Sequence, residues 1–332
     1  MAVPGYEEVV RVDDPVSGLR AVIAVHSTVL GPSLGGTRFK PYASDDDALA
    51  DALRLARAMT YKSSIAGIDV GGGKAVINGD PATLKSPELL HAYGRFIDTL
   101  DGRYVTAPDV GTTEADMAVI WEVTPHVTGL APELGGFGDP SPATARGLVA
   151  ALRGVQRFRG ERVEGLHVAI SGAGKVGGDF ARQLLALGCR VTVADVDPAR
   201  AAATGGEVAD PATVHRTPCD VFAPCALGGV LDEHTVPELS CTAIVGAANN
   251  QLARPVVAEL LEEHAITFVP DFVANAGGIV LVAEELHRGT AERAEALVQR
   301  IETTVLTVLE RAAHAGITPL AAAEAMAEER LG

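Results

Sequence analysis

Aromatic side chains are scarce in this chain: one tryptophan, five tyrosines and eight phenylalanines make 4% of its 332 residues. The core must therefore be built from Val, Leu, Ile and Ala with tight glycine turns, a composition that suits α/β layering. Positive charge is short as well. Lysine and arginine total 27 against 43 acids, a formal net charge of −16. That balance argues against nucleic acid or an anionic membrane as a partner. No apolar run reaches the ~18 residues of a membrane span. The first residues, MAVPGYEEVVRVDD, carry acids where a secretory leader would carry lysine or arginine, so no leader is expected. Cys189, Cys219, Cys225 and Cys241 form no C-x-x-C pair, and they read as reduced core thiols of a cytoplasmic protein. The histidines are scattered without metal-ligand spacing, so no metal site is expected.

The length and the 47% hydrophobic content fit about two domains. Strand-like LRAVIAVHST (Leu19–Thr28) precedes a helical period from Ser44 to Ser64, where Ser44 can cap and three acids follow. KAVING reads as a strand, SPELLHAYGRFIDTLDG as a capped helix, RYVTAPDVG as a strand entering a polar turn, and TEADMAVIWEV as a helix. The stretch Ala131–Gly147, rich in proline and glycine, is the candidate hinge. Beyond it strands and helices alternate regularly, the pattern of a doubly wound parallel sheet, and from Leu281 onward the chain is mostly helical.

Gly172, Gly174 and Gly177 form a G-x-G-x-x-G between an apolar strand and a helix, and a second strand ends at Asp195. Gly172 permits the turn, Gly174 leaves room for a pyrophosphate, and Gly177 lets the helix sit close to the sheet. The phosphates would meet free N–H groups at the helix start, within the run Gly172, Ala173, Gly174, Lys175, Val176 and Gly177. Asp195 can bind a ribose hydroxyl and would repel a 2′-phosphate, helped by Asp197, so NAD is favoured over NADP. Arg200 is read as a solvated helix residue.

The segment MTYKSSIAGIDVGGGKAVI holds Lys62 and Lys74 among small and apolar residues. Lysine normally marks a wet surface. Asp109 follows an apolar strand, between Pro108 and Gly111. If these three groups share a site, one lysine can grip a carboxylate, the other can serve as a base tuned by burial, and the aspartate can pass a proton. The glycines before Lys74 would admit a substrate close to the backbone. The bland alternative is that each lysine only pairs with a nearby acid such as Asp69.

The stretches LGGTRFKPY, MTYKSSIAGIDVGGGKAVI, TAPDVGTTEADM, GDPSPATARG, SGAGKVGGDFA, CDVFAPCALGGV, VGAANNQLA and PDFVANAGGI run in order from Leu34 to Ile279. On these the chain resembles the amino-acid dehydrogenase superfamily of glutamate, leucine, valine and phenylalanine dehydrogenases, and within it the leucine/valine/phenylalanine branch. The resemblance implies an N-terminal α/β substrate domain and a C-terminal Rossmann-type doubly wound dinucleotide-binding domain, with the active site in a cleft between them. The expected spans are 1–135 for the substrate and oligomerisation domain, joined by a C-terminal helix at 310–332, and 140–290 for the NAD domain. The implied reaction is reversible oxidative deamination of an L-amino acid by NAD in a homo-oligomer. By motif, Lys62 would bind the substrate carboxylate, Lys74 would assist attack of water, and Asp109 would transfer protons on the amino group. Asn275 would contact substrate. Thr144, Ala226, Ala247 and Asn249 would lie on the cofactor side. One departure is Tyr61-Lys62-Ser63-Ser64, where leucine-type enzymes read Tyr-Lys-Asn-Ala.

The same resemblance bears on specificity. Glutamate dehydrogenases carry a lysine directly before the Gly-Gly of this segment, where this chain has Leu34 before Gly35 and Gly36. A buried carboxylate without a cation would cost several kcal/mol, so glutamate should be a poor substrate. Ala107, Ile279 and Val282 take the other places that line the pocket, which makes it apolar. APCALGGV and PDFVANAGG lean toward phenylalanine enzymes, while YK and LGGTRF lean toward leucine and valine enzymes. Two alternatives stand beside an aliphatic amino-acid dehydrogenase: an aromatic-specific biosynthetic dehydrogenase, and a catalytically silent NAD-binding regulator.

Overall fold

The computed structural model describes residues 1–332. They divide into two compact units. The first comprises residues 1–140, 279–291 and 330–332; the second comprises 141–278 and 292–329. No helix is long and apolar enough to cross a membrane.

The first unit contains β1 (Glu8–Asp14), β2 (Leu19–Ser27), β3 (Ser33–Lys40), α1 (Asp45–Ile65), β4 (Gly71–Asn78), α2 (Pro81–Leu84), α3 (Pro87–Asp98), β5 (Tyr104–Pro108) and α4 (Glu114–Trp121). Its sheet has the order β1-β2-β4-β3-β5. The β1–β2 and β2–β4 pairs are antiparallel; β3 runs parallel to both β4 and β5. Both faces are covered, so β2 and β4 are apolar nearly throughout. On one face α1 lays Ala48, Ala52 and Ala56 against Val9, Val22, Ala24 and Val76. On the other, Tyr93 and Ile97 of α3 and Met117 and Ile120 of α4 pack on Ile23, Val25, Phe39 and Ile77. Each helix start is sealed by its own sequence. Ser44 Oγ accepts the Asp47 N–H, and Thr113 and Asp116 form a reciprocal cap on α4.

The second unit opens with α5 (Ser141–Arg159), which begins inside the stretch read as hinge. There follow β6 (His167–Ser171), α6 (Lys175–Ala186), β7 (Arg190–Ala194), α7 (Pro198–Ala202), β8 (Glu207–Val208), β9 (Val221–Pro224), β10 (Ala243–Ile244), α8 (Val257–Glu263), β11 (Thr267–Phe268) and α9 (Asp271–Ala274). The chain continues through α10 (Gly277–Leu286), α11 (Ala291–Gln299), α12 (Ile301–Ala315) and α13 (Pro319–Leu331). All strands of this sheet are parallel, in the order β11-β10-β9-β6-β7-β8. From β6 the chain winds outward one way through β7 and β8, then returns to the other side for β9 to β11. That is the doubly wound dinucleotide-binding order, with its switch point between β6 and β9.

The unit boundaries differ from the spans expected from sequence in two places. Residues 279–291 belong with the first unit, not with a continuous 140–290 domain. The reason is a set of hydrogen bonds. Thr128 Oγ1 donates to the Val282 carbonyl at 3.2 Å, and the Glu285 carboxylate accepts the N–H groups of Gly129, Leu130 and Phe137 at 2.8, 3.2 and 3.0 Å. Of the 310–332 helix, only residues 330–332 join the first unit. The preceding α12 is held by α5, where Gly154 leaves room for the Glu302 carbonyl and Val305. At the chain end Arg330 donates to the carbonyls of Ser63, Ser64 and Ile68 at 3.4, 3.3 and 2.8 Å and pairs with Asp69 at 2.6 Å. A cation on the Ser63 and Ser64 carbonyls, in the last turn of α1, is favourable by dipole and by hydrogen bonding.

Glu285 is thus the acceptor for three loop amides that have no strand to pair with. Replacing it with alanine should raise amide hydrogen exchange at Gly129, Leu130 and Phe137 by at least about tenfold, since a bond to a charged acceptor is worth roughly 1.5–3 kcal/mol. Exchange rates unchanged in Glu285→Ala would show that the loop is held by other means.

Candidate active site

The sheet of the first unit brings three strands together at one place. Residues alternate across a strand, so Leu34, Gly36 and Arg38 of β3 share a face with Gly72 and Lys74 of β4 and with Val105 and Ala107 of β5. Register agrees: Leu34 pairs with both Gly72 and Val105, and Gly36 with Ala107. This is the α1 face. Lys74 lies on it with 5% of its surface exposed, and its ammonium donates to Asp109 Oδ2 in a short contact. Lys74 thus pairs with Asp109 and not with Asp69, which takes Arg330.

Asp109 is placed by its own turn. Its N–H donates to Thr112 Oγ1 at 2.9 Å, and that hydroxyl donates to the Thr37 carbonyl at 2.8 Å. Gly111, at φ +81°, passes so close to the Phe39 carbonyl that no side chain would fit. Gly36 makes the meeting with Lys74 possible. A Cβ there would lie 2.7 Å from the Pro108 carbonyl oxygen and 2.9 Å from Asp109 Cβ. Gly35 is closed in the same way by the Gly73 carbonyl.

The electrostatics follow from burial. Desolvation pushes the Lys74 pKa down, and the attraction of Asp109 only partly restores it. Desolvation would raise Asp109, but Lys74 and Arg38 together hold its carboxyl at about 2. Asp109 is therefore an anion across the working range, and Lys74 is a lysine with an unusually labile proton.

The two lysines differ: Lys62, in the last turn of α1, is half-buried, and Lys74 is fully buried. One reading made from the sequence changes here. The glycines before Lys74 admit the protein's own backbone. The space at Gly71 is filled by the Ser27 and Gly31 carbonyls, at Gly72 by Thr60 of α1, and at Gly73 by Ser33 and the Tyr104 ring. They bring α1, and Lys62 with it, hard against β4; the Ser63 hydroxyl donates to the Gly71 carbonyl at 3.3 Å. Leu34, at 1% exposure, lies with Ala107, Ile279 and Val282 in the first unit, and all four are buried.

Arg38 and Asp51 are the residues that sequence reasoning missed. Arg38 Nε donates to Asp109 Oδ2 at 3.3 Å, and Arg38 Nη1 to Asp51 Oδ2 at 3.0 Å. The available signal was an arginine inside an apolar strand, two residues on from Gly36 and so on the same face.

In the second unit the glycine motif takes the form that its spacing implies. Gly172 has φ +105°, and a side chain there would strike Ala226. Gly174, just before α6, has open space where a Cβ would be. Gly177 presses on the Gly172 carbonyl and on Cys225. Ala173 is buried, Val176 half-buried, and Lys175 exposed at the first turn of α6. Asp195, at the end of β7, accepts the N–H groups of Ala173 at 2.8 Å and Asp197 at 2.9 Å; the latter bond leads in keeping its pKa low. Arg200 is paired with Asp197 at 3.3 Å. Asn275 Nδ2 donates to the Ala247 carbonyl and to Asn249 Oδ1, both at 2.9 Å, which fixes the amide and leaves the buried Asn275 Oδ1 without a donor. Thr144 lies in the first turn of α5, where the backbone packs on Gly277. An open glycine at a helix N-terminus, an acid at the end of the next strand and an orphaned amide oxygen beside the switch-point strands fit a dinucleotide. The four cysteines are free, and burial pushes Cys219 and Cys225 up to about 12 and Cys241 to about 11.

Comparison with known proteins gives this arrangement a family. Residues 6–126 match the profile of the Glu/Leu/Phe/Val dehydrogenase dimerisation domain, and residues 192–331 that of the Glutamate/Leucine/Phenylalanine/Valine dehydrogenases. The chain belongs to this family and is an amino-acid dehydrogenase, an oxidoreductase. It is 45% identical to the leucine dehydrogenase of Geobacillus stearothermophilus, over 98% of this chain and 90% of that protein. It is 49% identical to the valine dehydrogenase of Streptomyces coelicolor, over 98% and 92%. Among solved structures, L-tryptophan dehydrogenase from Nostoc punctiforme superposes with a TM-score of 0.86 at 39% identity, covering 98% of this chain and 96% of that one.

Gly36→Ala tests the geometry of the pair. The methyl group can be accommodated only by moving the Pro108–Asp109 backbone away from Lys74, at a cost of about 1–3 kcal/mol. Turnover should fall by at least about a hundredfold, as displacement by an ångström costs in a positioned site, while NADH binding stays within twofold. Wild-type turnover in this variant would show that Asp109 need not touch Lys74.

Proposed function

We propose that the protein catalyses the NAD-dependent, reversible oxidative deamination of an apolar L-amino acid (leucine, valine, isoleucine or phenylalanine) to the 2-oxo acid and ammonia. The observation that carries this reading is the contact between buried Lys74 and part-buried Asp109 in a chain closely similar to leucine and valine dehydrogenases. Intact buried charges also weigh against a silent regulator, since such a pair costs desolvation that a binding module has no need to meet. A dimerisation domain among the matched profiles supports a homo-oligomer, and four thiols with no disulfide support a cytoplasmic setting.

In this proposal Lys62 binds the substrate carboxylate by a charge-assisted bond, and Asn275 contacts the substrate through its free amide oxygen. Leu34, Ala107, Ile279 and Val282 face the side chain, offering no cation to glutamate. Asp195 binds the ribose, and the loop Gly172–Gly177, with Thr144, Ala226, Ala247 and Asn249, holds the rest of the dinucleotide. When bound, NAD supplies the acceptor for the hydride leaving the amino acid's α-carbon. The chain's own part is proton handling. The substrate ammonium first gives a proton to the Asp109 carboxylate, which passes it on to solvent. After hydride loss the iminium carbon is attacked by water, whose proton passes to neutral Lys74. Lys74, now an ammonium, hands that proton to the Asp109 carboxylate it touches, and Asp109 passes it to the amino nitrogen. Ammonia then leaves as the hydroxyl on the α-carbon gives its proton back to neutral Lys74 and becomes the carbonyl.

The test is initial rates with NAD and L-leucine, L-valine, L-isoleucine, L-phenylalanine, L-tryptophan and L-glutamate, for the wild type and Lys74→Ala. The wild type should oxidise apolar substrates and nearly ignore glutamate, and Lys74→Ala should lose turnover by orders of magnitude with NADH binding kept. Equal rates on glutamate would refute the apolar pocket, and an active Lys74→Ala would refute the base.

Asp195 has a second task that sharpens the cofactor reading, because the oxygens proposed to meet the ribose also anchor Ala173 of the glycine loop. Asp195→Asn should weaken NADH binding about tenfold and narrow the preference over NADPH, both read by fluorescence titration. A wild type that already prefers NADPH would make Arg200 the determinant instead.

A further inference from the structure

Asp109 Oδ2 receives two cations at once, Lys74 and Arg38. Arg38 is itself clamped. Its Nη1 meets Asp51 Oδ2 at 3.0 Å, and Asp51 is held by the Tyr42 hydroxyl at 2.6 Å and by Arg54 at 2.7 Å. The Arg38 and Asp51 side chains are 18% and 13% exposed, so the network is largely withdrawn from water. We propose that Arg38 is a positioning residue for the deamination chemistry: it holds the Asp109 carboxylate against Lys74 and keeps it compensated while Lys74 gives up and regains its proton. The inference rests on the reading of Lys74 as the base.

The physical case is one of charge balance. A base must spend part of each cycle neutral. If Lys74 were the only cation on Asp109, neutralising it would leave that part-buried carboxylate without a compensating charge. That penalty would pin Lys74 in its charged form. A guanidinium does not titrate in the working range, so Arg38 remains on Asp109 in both states of Lys74. It also repels the Lys74 ammonium and favours proton loss. The charged and titratable groups around Lys74 are Asp109 from the turn after β5, Arg38 from β3, Tyr42 beyond it, and Asp51 and Arg54 from α1, with Lys62 closing that helix; the neighbouring β2 residue, Ala24, is apolar. Lysine could not replace Arg38, because one ammonium lacks the fork that spans Asp109 and Asp51.

The experiment is the pH dependence of kcat in the full chain with the amino acid it turns over fastest, for the wild type, Arg38→Gln, Arg38→Ala and Arg38→Lys, with Lys74→Ala as control. Removing the Arg38 charge should move the acidic limb of kcat to higher pH by about one unit and lower kcat near neutrality at least about tenfold. NADH dissociation constants should stay within twofold, and Arg38→Lys should recover part of the limb position. If Arg38→Ala does not fold, Arg38→Gln, which keeps the bulk, gives the answer. A limb that does not move, whether kcat is unchanged or falls by one factor at every pH, overturns the inference and leaves Arg38 a structural residue. An active Lys74→Ala would instead remove the reading on which it rests.

Discussion

A lysine ammonium withdrawn from water is the constraint around which the first unit is arranged. At 5% exposure Lys74 cannot rely on solvent, and a lone ion there would be costly. Features that look unrelated serve this one group. Gly36 thins β3 so that the Asp109 turn can reach across to β4. Thr112 ties that turn to β3, and Gly111 lets it pass beneath the Phe39 carbonyl. Burial lowers the lysine while the two flanking cations keep the aspartate ionised, so the pair holds a mobile proton next to a fixed negative charge. The arrangement is poor as a source of stability and well suited to proton transfer.

The parts of this fold that were legible beforehand are those encoded over short spans. The glycine motif, the strand before it and Asp195 lie within about one βαβ unit, and each glycine has the steric role that its position implies. The helix start at Ser44 was marked by the residue that caps it directly. Lys74 and Asp109 could be singled out because charge in an apolar run is conspicuous. The ion pair from Arg38 to Asp51 was not legible, because it joins a strand to a helix through a crossover whose register no local pattern reports. The Gly71–Gly73 run illustrates the same limit: a glycine signals a close approach, but not whether the approaching group is a ligand or the chain itself.

The capping of α1 has a consequence for how the protein comes into being. The first unit is drawn mainly from residues 1–140, yet it takes in 279–291 and 330–332 as well. During synthesis, the Gly129–Phe137 loop has no Glu285 to bind until residue 285 has emerged, and the last turn of α1, which bears Lys62, has no Arg330 until residue 330 has. Domains generally fold in order of emergence from the ribosome, and contacts between distant segments are slow to form. Here the first unit is completed only after the intervening parallel sheet has been translated. A nascent chain halted before Arg330 would therefore carry a formed Lys74 strand beside an α1 whose last turn has only its own backbone caps and not yet the guanidinium.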